Sequence, residues 1–442
     1  MQRMFRATNV VLILLCAMYF ISYIVRQSVS TAMLDIKPEF GLSTTQALFI
    51  FSVFGYPYLL FQIIGGMTAD RFGPKKTLFV SGLIWAGATV MTGFATGFVS
   101  LVLWRVLMGF GVGATLPTAT RAMQHWVEKR KRGFAQGVTH SFSRLGNALT
   151  PVMTVGIMAL AAANGFVGWR WSFYIIGLAG FVWVFVWWWY FRDDPKDHPA
   201  CTQQELALLP PSPKKLLDPK TGQEIRPPIP WGPLVGRMWP VTLTYFCYGW
   251  CLWLYLSYLP LFFKDTFSLS NGDAALFSTI VYFIGAIGNT AGGIVSDRLL
   301  HKTGNVRFAR IAVTVTGFTA ALIWLIPIMY VHDMTVVAIC LSGGFFFAES
   351  TIGPMWAIPM DIAPKFSGTA SGLMNAGSAL AAILSPVVAG YVTDLSGDKQ
   401  LPFILAIGVL MLGALSSFLM HPEKQFTEEL PSGAAPRPAP AE

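Results

Sequence analysis

Apolar stretches of about 20 residues recur twelve times along the chain, and this recurrence restricts the possible folds most strongly. A helix of that length crosses a hydrocarbon core of roughly 30 Å, and it satisfies all of its backbone polar groups internally. We therefore predict an all-α polytopic membrane protein. The expected spans are 10–31, 46–68, 77–97, 99–120, 134–160, 170–190, 239–262, 273–295, 309–330, 335–359, 367–392 and 402–420.

The composition excludes several other classes of protein. Of the 442 residues, 54% are hydrophobic and only 12% are charged, whereas soluble proteins have about 25% charged residues. A net charge of +9 is compatible with nucleic-acid binding only if the basic residues cluster on a soluble surface. Here they fall in short loops between apolar runs. We expect the lipid bilayer as the surroundings and no nucleic-acid partner.

The basic residues also predict the orientation in the membrane. With a cytoplasmic N-terminus, 24 of the 31 lysines and arginines lie in cytoplasmic segments. Only Lys37, Arg170, Lys264 and Lys399 then lie in outer loops. This distribution satisfies the positive-inside rule. We expect a multi-pass protein of the cell inner (plasma) membrane with both termini in the cytoplasm.

One long interruption divides the spans into six and six. It is rich in proline and charge, which is typical of a linker. We expect an N-terminal six-helix bundle at 1–190, a cytoplasmic linker at 191–237, a C-terminal six-helix bundle at 238–421 and a flexible cytoplasmic tail at 422–442.

Groups that would support catalysis or hold a cofactor are not visible in the sequence. The five cysteines have no CxxC spacing and no His-paired metal spacing, and no nucleophile–base pair is evident. We expect no metal, no cofactor and no enzyme activity. Our expectation for the assembly is a monomer.

A loop motif occurs in both halves of the chain. GGMTADRFGPKK (65–76) and GGIVSDR (292–298) place Asp70 and Asp297 227 positions apart, as a duplicated six-helix unit requires. The motif resembles the signature loop of the major facilitator superfamily, and RVLMGFGVG (105–113) resembles that superfamily's pattern in helix 4. The resemblance implies two pseudo-symmetric six-helix bundles around a central cavity.

This resemblance also implies roles for five charged residues. Four of them would act as gating residues that bridge the halves on the cytoplasmic side, and the fifth would hold helix packing. The gating residues are Asp70, Arg71, Asp297 and Arg298, and the structural residue is Arg105.

Within the superfamily, the stretches 51–66, 168–180 and 353–375 resemble the anion:cation symporter family, which carries sugar acids and other organic anions. That family has an Asp-Arg pair in helix 1 and a Glu in helix 4. This chain keeps the arginine, Arg26, but has Val25 and Val112 at the acidic positions.

Two further stretches, 23–26 and 121–126, resemble the organophosphate:phosphate antiporters. That resemblance implies a second phosphate-binding arginine in helix 7. The predicted seventh span contains no arginine, so the symporter family is the better match and the exchanger stays an alternative.

Ionisable groups within the spans are costly and usually serve function. Arg26 is our first candidate for binding an anionic substrate, because a guanidinium pairs bidentately with an acid group. Arg144 is the second candidate, with a structural ion pair to Glu349 as the alternative. Glu349, the one carboxylate deep in a predicted span, is our candidate proton site. His140 is a weaker candidate for proton coupling.

Polar and aromatic residues would complete the binding site. By resemblance to the symporter family, five positions line the cavity, although plain helix packing is an equally good account of the aromatic ones. These positions are Tyr56, Tyr58, Gln62, Trp356 and Asn375.

Together these features predict a secondary active transporter for a small organic anion, either a carboxylate such as a sugar acid or a sulfonate. Moving an anion against an inside-negative potential costs about 2.3 kcal/mol per charge per 100 mV, which favours proton symport by alternating access. An organophosphate/phosphate exchanger and a transporter-like sensor that binds without transport are the alternatives.

Overall fold

The computed structural model describes residues 6–211, 216–217, 224–225, 228–269 and 271–426. Long helices dominate the first part of the chain up to residue 190. They are α1 (Ala7–Glu39), α2 (Thr44–Val53), α3 (Gly55–Phe72), α4 (Pro74–Gly93), α5 (Phe98–Trp126), α6 (Arg132–Ala163) and α7 (Gly168–Tyr190).

The second part of the chain repeats this organisation after the connecting region between Tyr190 and Trp231. That region contains helix α8 (Gln203–Leu206) and an antiparallel pair of two-residue strands, β1 (Leu216–Leu217) and β2 (Glu224–Ile225). The helices that follow are α9 (Trp231–Phe267), α10 (Asn271–Thr303), α11 (Val306–Leu325), α12 (Met334–Ser350), α13 (Ile352–Ile362), α14 (Ser367–Ser396) and α15 (Leu401–Ser417).

These helices account for twelve membrane spans. In the described part of the chain, nine helical segments are long and apolar enough to cross a membrane. Two of those segments are interrupted, at Phe54 between α2 and α3 and at Thr351 between α12 and α13. With α4, α9 and α15 they form two bundles of six spans, α1–α7 and α9–α15.

Local sequence determines where several helices start. Ser43 Oγ accepts a hydrogen bond from the Gln46 backbone N–H at 3.1 Å, and the Gln46 side chain accepts one from the Ser43 N–H at 2.9 Å. This reciprocal pair is a capping box at the start of α2. Pro74 occupies the first turn of α4 after Gly73, whose φ of 86° suits glycine.

The helices exceed the predicted spans at several ends. Helix α9 begins at Trp231, before the predicted start at 239, and α1 continues to Glu39. Hydrophobicity marks only the part of a helix within lipid, whereas the hydrogen-bonded backbone continues into the interface.

The start of the predicted linker folds against the first bundle. The Lys75 backbone N–H donates to Asp193 at 2.8 Å, and the Trp126 indole donates to the Arg192 carbonyl at 2.8 Å. The Thr8 hydroxyl donates to Glu205 at 3.0 Å. We call this side of the molecule, where α1 begins and α7 ends, the linker face.

The segment after α15 lies close to the second bundle. The Phe426 backbone N–H donates to the Ile362 carbonyl at 2.6 Å, and Arg237 donates to the His421 carbonyl at 3.2 Å. The greater part of the tail predicted at 422–442, residues 427–442, lies outside the described residues.

Glycines allow the two bundles to meet closely near the linker face. A Cβ on Gly66 of α3 would collide with the Gly368 carbonyl of α14, and a Cβ on Gly293 of α10 would collide with the Gly133 carbonyl of α6. The two contacts relate equivalent elements of the two halves, as expected for a duplicated unit.

Candidate functional site

An ion pair joins the two bundles deep inside the molecule. Arg144 of α6 donates from Nε to Glu349 Oε2 at 3.0 Å and from Nη2 to Glu349 Oε1 at 3.1 Å. Both residues are buried, with exposed fractions of 3% and 0%. The geometry is bidentate, so each charge is compensated by the other. The ion pair with Glu349, which the sequence offered as the alternative role of Arg144, is therefore present in this structure.

Glu349 receives two more hydrogen bonds from the second bundle. The Tyr248 hydroxyl of α9 donates to Oε1 at 2.8 Å, and the Asn289 amide of α10 donates to Oε2 at 2.7 Å. Each carboxylate oxygen thus accepts two hydrogen bonds. Sequence reasoning missed both donors, since a buried acid signals a need for partners without indicating which helix supplies them.

Arg26 of α1 has different surroundings. Its guanidinium carbon lies 5.9 Å from the ring centre of Tyr23, 5.2 Å from those of Phe54 and Tyr58, and 4.7 Å from that of Trp253. Trp253 belongs to α9 in the other bundle. Within the described residues, no carboxylate pairs with the Arg26 guanidinium. Its neighbours in this structure are aromatic rings from both bundles.

Arg105 of α5 binds the backbone next to Arg26. It is 3% exposed, and it donates to the Ile50 carbonyl at 3.2 Å and to the Arg26 carbonyl at 3.3 Å. Its guanidinium carbon lies 5.0 Å from the centre of the Phe54 ring. These contacts bind Arg105 to the backbone of α1 and of α2, next to the helix break at Phe54. This placement agrees with a structural role.

His140 lies one turn before Arg144 on α6 and is buried. Its Nδ1 is 2.8 Å from the Gln136 carbonyl, so Nδ1 must carry the hydrogen, because a carbonyl only accepts. The ring contacts Tyr19 and Trp356, with centroids 5.0 Å and 4.8 Å away. Its Nε2 has no hydrogen-bond partner among the described residues.

The expected pocket-lining residues divide into two groups. Asn375 of α14 donates to Gln62 of α3 at 2.8 Å and so connects the bundles. Tyr58 lies one turn before Gln62 and faces Arg26. Tyr56, in contrast, is 64% exposed and lies in the same row of α3 as Leu60, which is 60% exposed. That row faces away from Arg26.

Trp356 lies in the interior of the site. It is 1% exposed, and its indole N–H donates to the Tyr245 hydroxyl at 2.6 Å. Through His140 and Tyr245, it connects α13 with α6 and α9.

The two loop-motif aspartates bind the starts of helices in the opposite bundle. Asp70 accepts hydrogen bonds from the backbone N–H groups of Gly368 and Thr369 at 3.0 and 2.7 Å. Asp297 accepts equivalent bonds from Gly133 and Phe134 at 3.1 and 2.7 Å. Unpaired N–H groups and the helix dipole both favour a carboxylate at a helix N-terminus. The molecule is therefore closed at its linker face.

The arginines that accompany these aspartates are not the ones expected. Arg71 and Arg298 are exposed. Asp70 instead pairs with Arg121 at 3.3 Å, and Asp297 pairs with Arg310 at 2.9 Å.

A further acid joins this network. Asp361 pairs with Arg310 at 3.3 Å and with Arg132 of the opposite bundle at 3.0 Å. In the sequence, Arg132 and Arg310 are visible only as basic residues that indicate topology, and Arg121 also begins the stretch that resembles the antiporters.

Two relatives of known description extend over nearly the whole chain. The chain is 42% identical to a probable sulfoacetate transporter, SauU, of Cupriavidus necator over 422 residues, which is 96% of each chain. It is 30% identical to a hexuronate transporter of Bacillus subtilis over 401 residues, which is 90% of each chain.

Solved transporter structures share the fold. The fucose:proton symporter of E. coli superposes with a TM-score of 0.67 at 14% identity, covering 94% of this chain and 99% of that chain. The proton:xylose symporter XylE gives a TM-score of 0.70 at 16% identity, covering 93% and 95%. The sequence model of the Major Facilitator Superfamily matches residues 15–386. The chain belongs to the Major Facilitator Superfamily.

Proposed function

We propose that the protein is a secondary active transporter that carries a small organic anion, with a sulfonate or carboxylate group, across the inner membrane. The observation that carries this proposal is Arg26, a guanidinium within a span that has aromatic neighbours and no carboxylate partner in the described chain. The similarity to sulfoacetate and hexuronate transporters supports the same class of substrate.

The surroundings of Arg26 suit a transported ligand. An unpaired charge at membrane depth is costly, so a compensating charge is expected from outside the protein. Aromatic rings supply no oxygen acceptor for the N–H groups of the guanidinium. These N–H groups match the oxygens of a carboxylate or a sulfonate.

The Arg144–Glu349 pair gives this proposal a route to proton coupling. An anionic substrate would compete with Glu349 for Arg144. A carboxylate that loses its guanidinium partner in a buried site gains affinity for a proton. In this scheme Glu349 takes up a proton when substrate binds, and His140, with its unpartnered Nε2, is a second proton acceptor.

The remaining predicted residues fit around these two arginines. We propose that four of the predicted residues line the cavity: Tyr58, Gln62, Trp356 and Asn375. Tyr58 contacts Arg26, Trp356 contacts His140, and the bond from Asn375 to Gln62 joins the bundles. Tyr56 stays a sequence-based prediction that its exposed position does not support.

We also propose that the linker face is the cytoplasmic face. Both termini then lie in the cytoplasm, with the bundles at 1–190 and 238–421 and the linker at 191–237, and the structure is closed to the cytoplasm. Asp70 and Asp297 act as gating residues, Arg71 and Arg298 remain candidates from the resemblance, and Arg105 is structural. The working unit is a monomer without enzyme activity.

Transport by purified protein in liposomes tests this function. With sulfoacetate outside and an inward proton gradient, we expect accumulation that a protonophore abolishes. Glucuronate and inorganic phosphate, each supplied outside the liposomes in the same way, show which class of anion is carried. Uptake that occurs only with phosphate inside the liposomes would indicate exchange and not symport. Binding without any flux would make the protein a sensor, and neither binding nor flux with any of these anions would contradict the proposal.

A further inference from the structure

We propose that Trp253 is a second anion-binding group, which donates its indole N–H to the same acid group that Arg26 binds. The inference rests on the proposed function and adds a determinant of specificity to it. Trp253 lies on α9, in the opposite bundle from Arg26.

The first observation is an unsatisfied donor. The Trp253 Nε1 is shielded from solvent and has no hydrogen-bond acceptor within the described residues. An indole nitrogen is a donor only, and leaving a buried donor unpaired is unfavourable. The buried Trp356 satisfies the same group through the Tyr245 hydroxyl at 2.6 Å. The Trp253 donor therefore lacks an acceptor that a bound ligand would supply.

The second observation is the position of this donor. The guanidinium carbon of Arg26 lies over the Trp253 ring, 4.7 Å from its centre. The N–H groups of an indole and of a guanidinium lie at the edges of these planar groups. An acid group placed beside both edges would accept hydrogen bonds from Arg26 and Trp253 together.

The chemistry of these donors favours a sulfonate. Arg26 and Trp253 only donate, so they suit an acid group that has lost all its protons. A carboxylate bound bidentately by a guanidinium can accept the indole N–H only at an oxygen that already accepts one hydrogen bond. A sulfonate offers the indole a third oxygen that the guanidinium does not use. A hydrogen phosphate carries a hydroxyl that needs an acceptor, which this pair does not offer.

The position of the pair also connects binding to closure. At 1.5 Å per residue, Arg26 lies about 28 Å along α1 from Ala7, farther from the linker face than Arg144 lies along α6. A shared anion would tie α1 to α9 at this outer level, where it would draw the two bundles together.

Calorimetric titration of the purified protein with sulfoacetate and with malonate tests the inference, because the two ligands differ only in a sulfonate replaced by a carboxylate. We expect the wild type to prefer sulfoacetate. Trp253→Phe keeps the aromatic face and removes the donor, so sulfoacetate should bind about ten-fold more weakly while malonate changes little. Trp250→Phe, on the same helix, is the matched control and should change neither affinity.

Indole ¹⁵N–H resonances give an independent readout. The signal that is missing in Trp253→Phe should shift when sulfoacetate binds to the wild type. The inference is overturned if Trp253→Phe retains both the wild-type affinity and the wild-type preference at an unchanged unfolding temperature. If the wild type binds neither ligand, the proposed function itself fails and this inference fails with it.

Discussion

Arg26 and Arg144 are the same residue type in the interior of the same molecule, yet their surroundings are opposite. Arg144 has a bidentate carboxylate partner in Glu349 at 3.0 Å, whereas Arg26 has four aromatic rings and no acid partner in the described chain. A guanidinium bound to a carboxylate, as in Arg144, or to backbone carbonyls, as in Arg105, contributes to the packed structure. We expect one with only aromatic neighbours to bind a ligand. The surroundings of an arginine, more than its presence in a span, therefore indicate its role.

The largest expected effect follows from breaking the compensated pair. Glu349→Ala leaves Arg144 as a buried, unpaired cation, which costs about 3–5 kcal/mol. We expect a strong fall in the unfolding temperature of the purified protein. Replacing both residues, Arg144→Met with Glu349→Leu, removes the unpaired charge and should restore most of the loss. If Glu349→Ala alone is as stable as the wild type, the Arg144–Glu349 pair does not stabilise the fold.

Glu349→Gln addresses the same residue with a smaller structural change. The amide retains one acceptor oxygen, for either Tyr248 or Asn289, and has an NH2 group in place of the other oxygen. It cannot bind a proton at the pH of the assay. We expect counterflow of sulfoacetate to persist, whereas accumulation driven by a proton gradient is lost, as measured by uptake into liposomes. Unchanged proton-driven accumulation would remove Glu349 as the proton site.

The next effect concerns the uncompensated arginine. Arg26→Lys keeps the charge but loses the planar, bidentate edge, so sulfoacetate affinity should fall by about 10- to 100-fold. The unfolding temperature should stay close to that of the wild type, since no ion pair is lost in the described chain. Arg105→Lys is the control with the opposite expectation. It breaks bonds to the Ile50 and Arg26 carbonyls and should reduce stability.

The sequence predicts the spans of this molecule better than the contacts within its site. Apolar runs and the repeated loop motif predict the twelve spans, because both are local or periodic along the chain. The apolar pattern does not predict the breaks at Phe54 and Thr351, since each interrupted span is apolar on both sides of the break.

The site shows the corresponding limit. The ionisable residues in the spans are identifiable one by one from their cost. Apart from the Arg144–Glu349 pair, their partners are not. Tyr248, Asn289 and Trp253 come from distant parts of the chain, and aromatic or polar residues in a span also serve packing or the membrane interface. Arg121 and Arg310 were obscured in a similar way by the basic residues that determine topology.

A moderate effect is expected at the linker face, where Asp70 and Asp297 are compensated to different degrees. Asp297 has Arg310, which also binds Asp361, whereas Asp70 has Arg121 as its cationic partner. Asp70→Asn weakens the bonds to the start of α14 by about 1–2 kcal/mol. We expect faster amide hydrogen exchange in the peptide that contains Gly368. Exchange that stays as slow as in the wild type would contradict a gating role for Asp70.

The smallest expected effect compares Glu349 with a second fully bonded carboxylate, Glu205. Glu205 accepts four hydrogen bonds, two from Thr8 and two from Thr202, and all these donors are neutral. Burial alone would raise its pKa, but the bonds from Thr202 and Thr8 outweigh burial and lower the pKa below the usual glutamate value.

Because the folded pKa of Glu205 is lowered, its contribution to the free energy of unfolding is complete above the unfolded pKa, about 4.3. This stabilisation is lost as the pH falls through the lower pKa of the folded state. We expect the peptide that contains Thr8 to lose protection from hydrogen exchange in that range, after correction for the intrinsic rate. Glu205→Gln should give lower protection at neutral pH that hardly changes on acidification. If Glu205→Gln loses protection on acidification as the wild type does, another group causes that loss. Docking of the linker would then not depend on the Glu205 carboxylate.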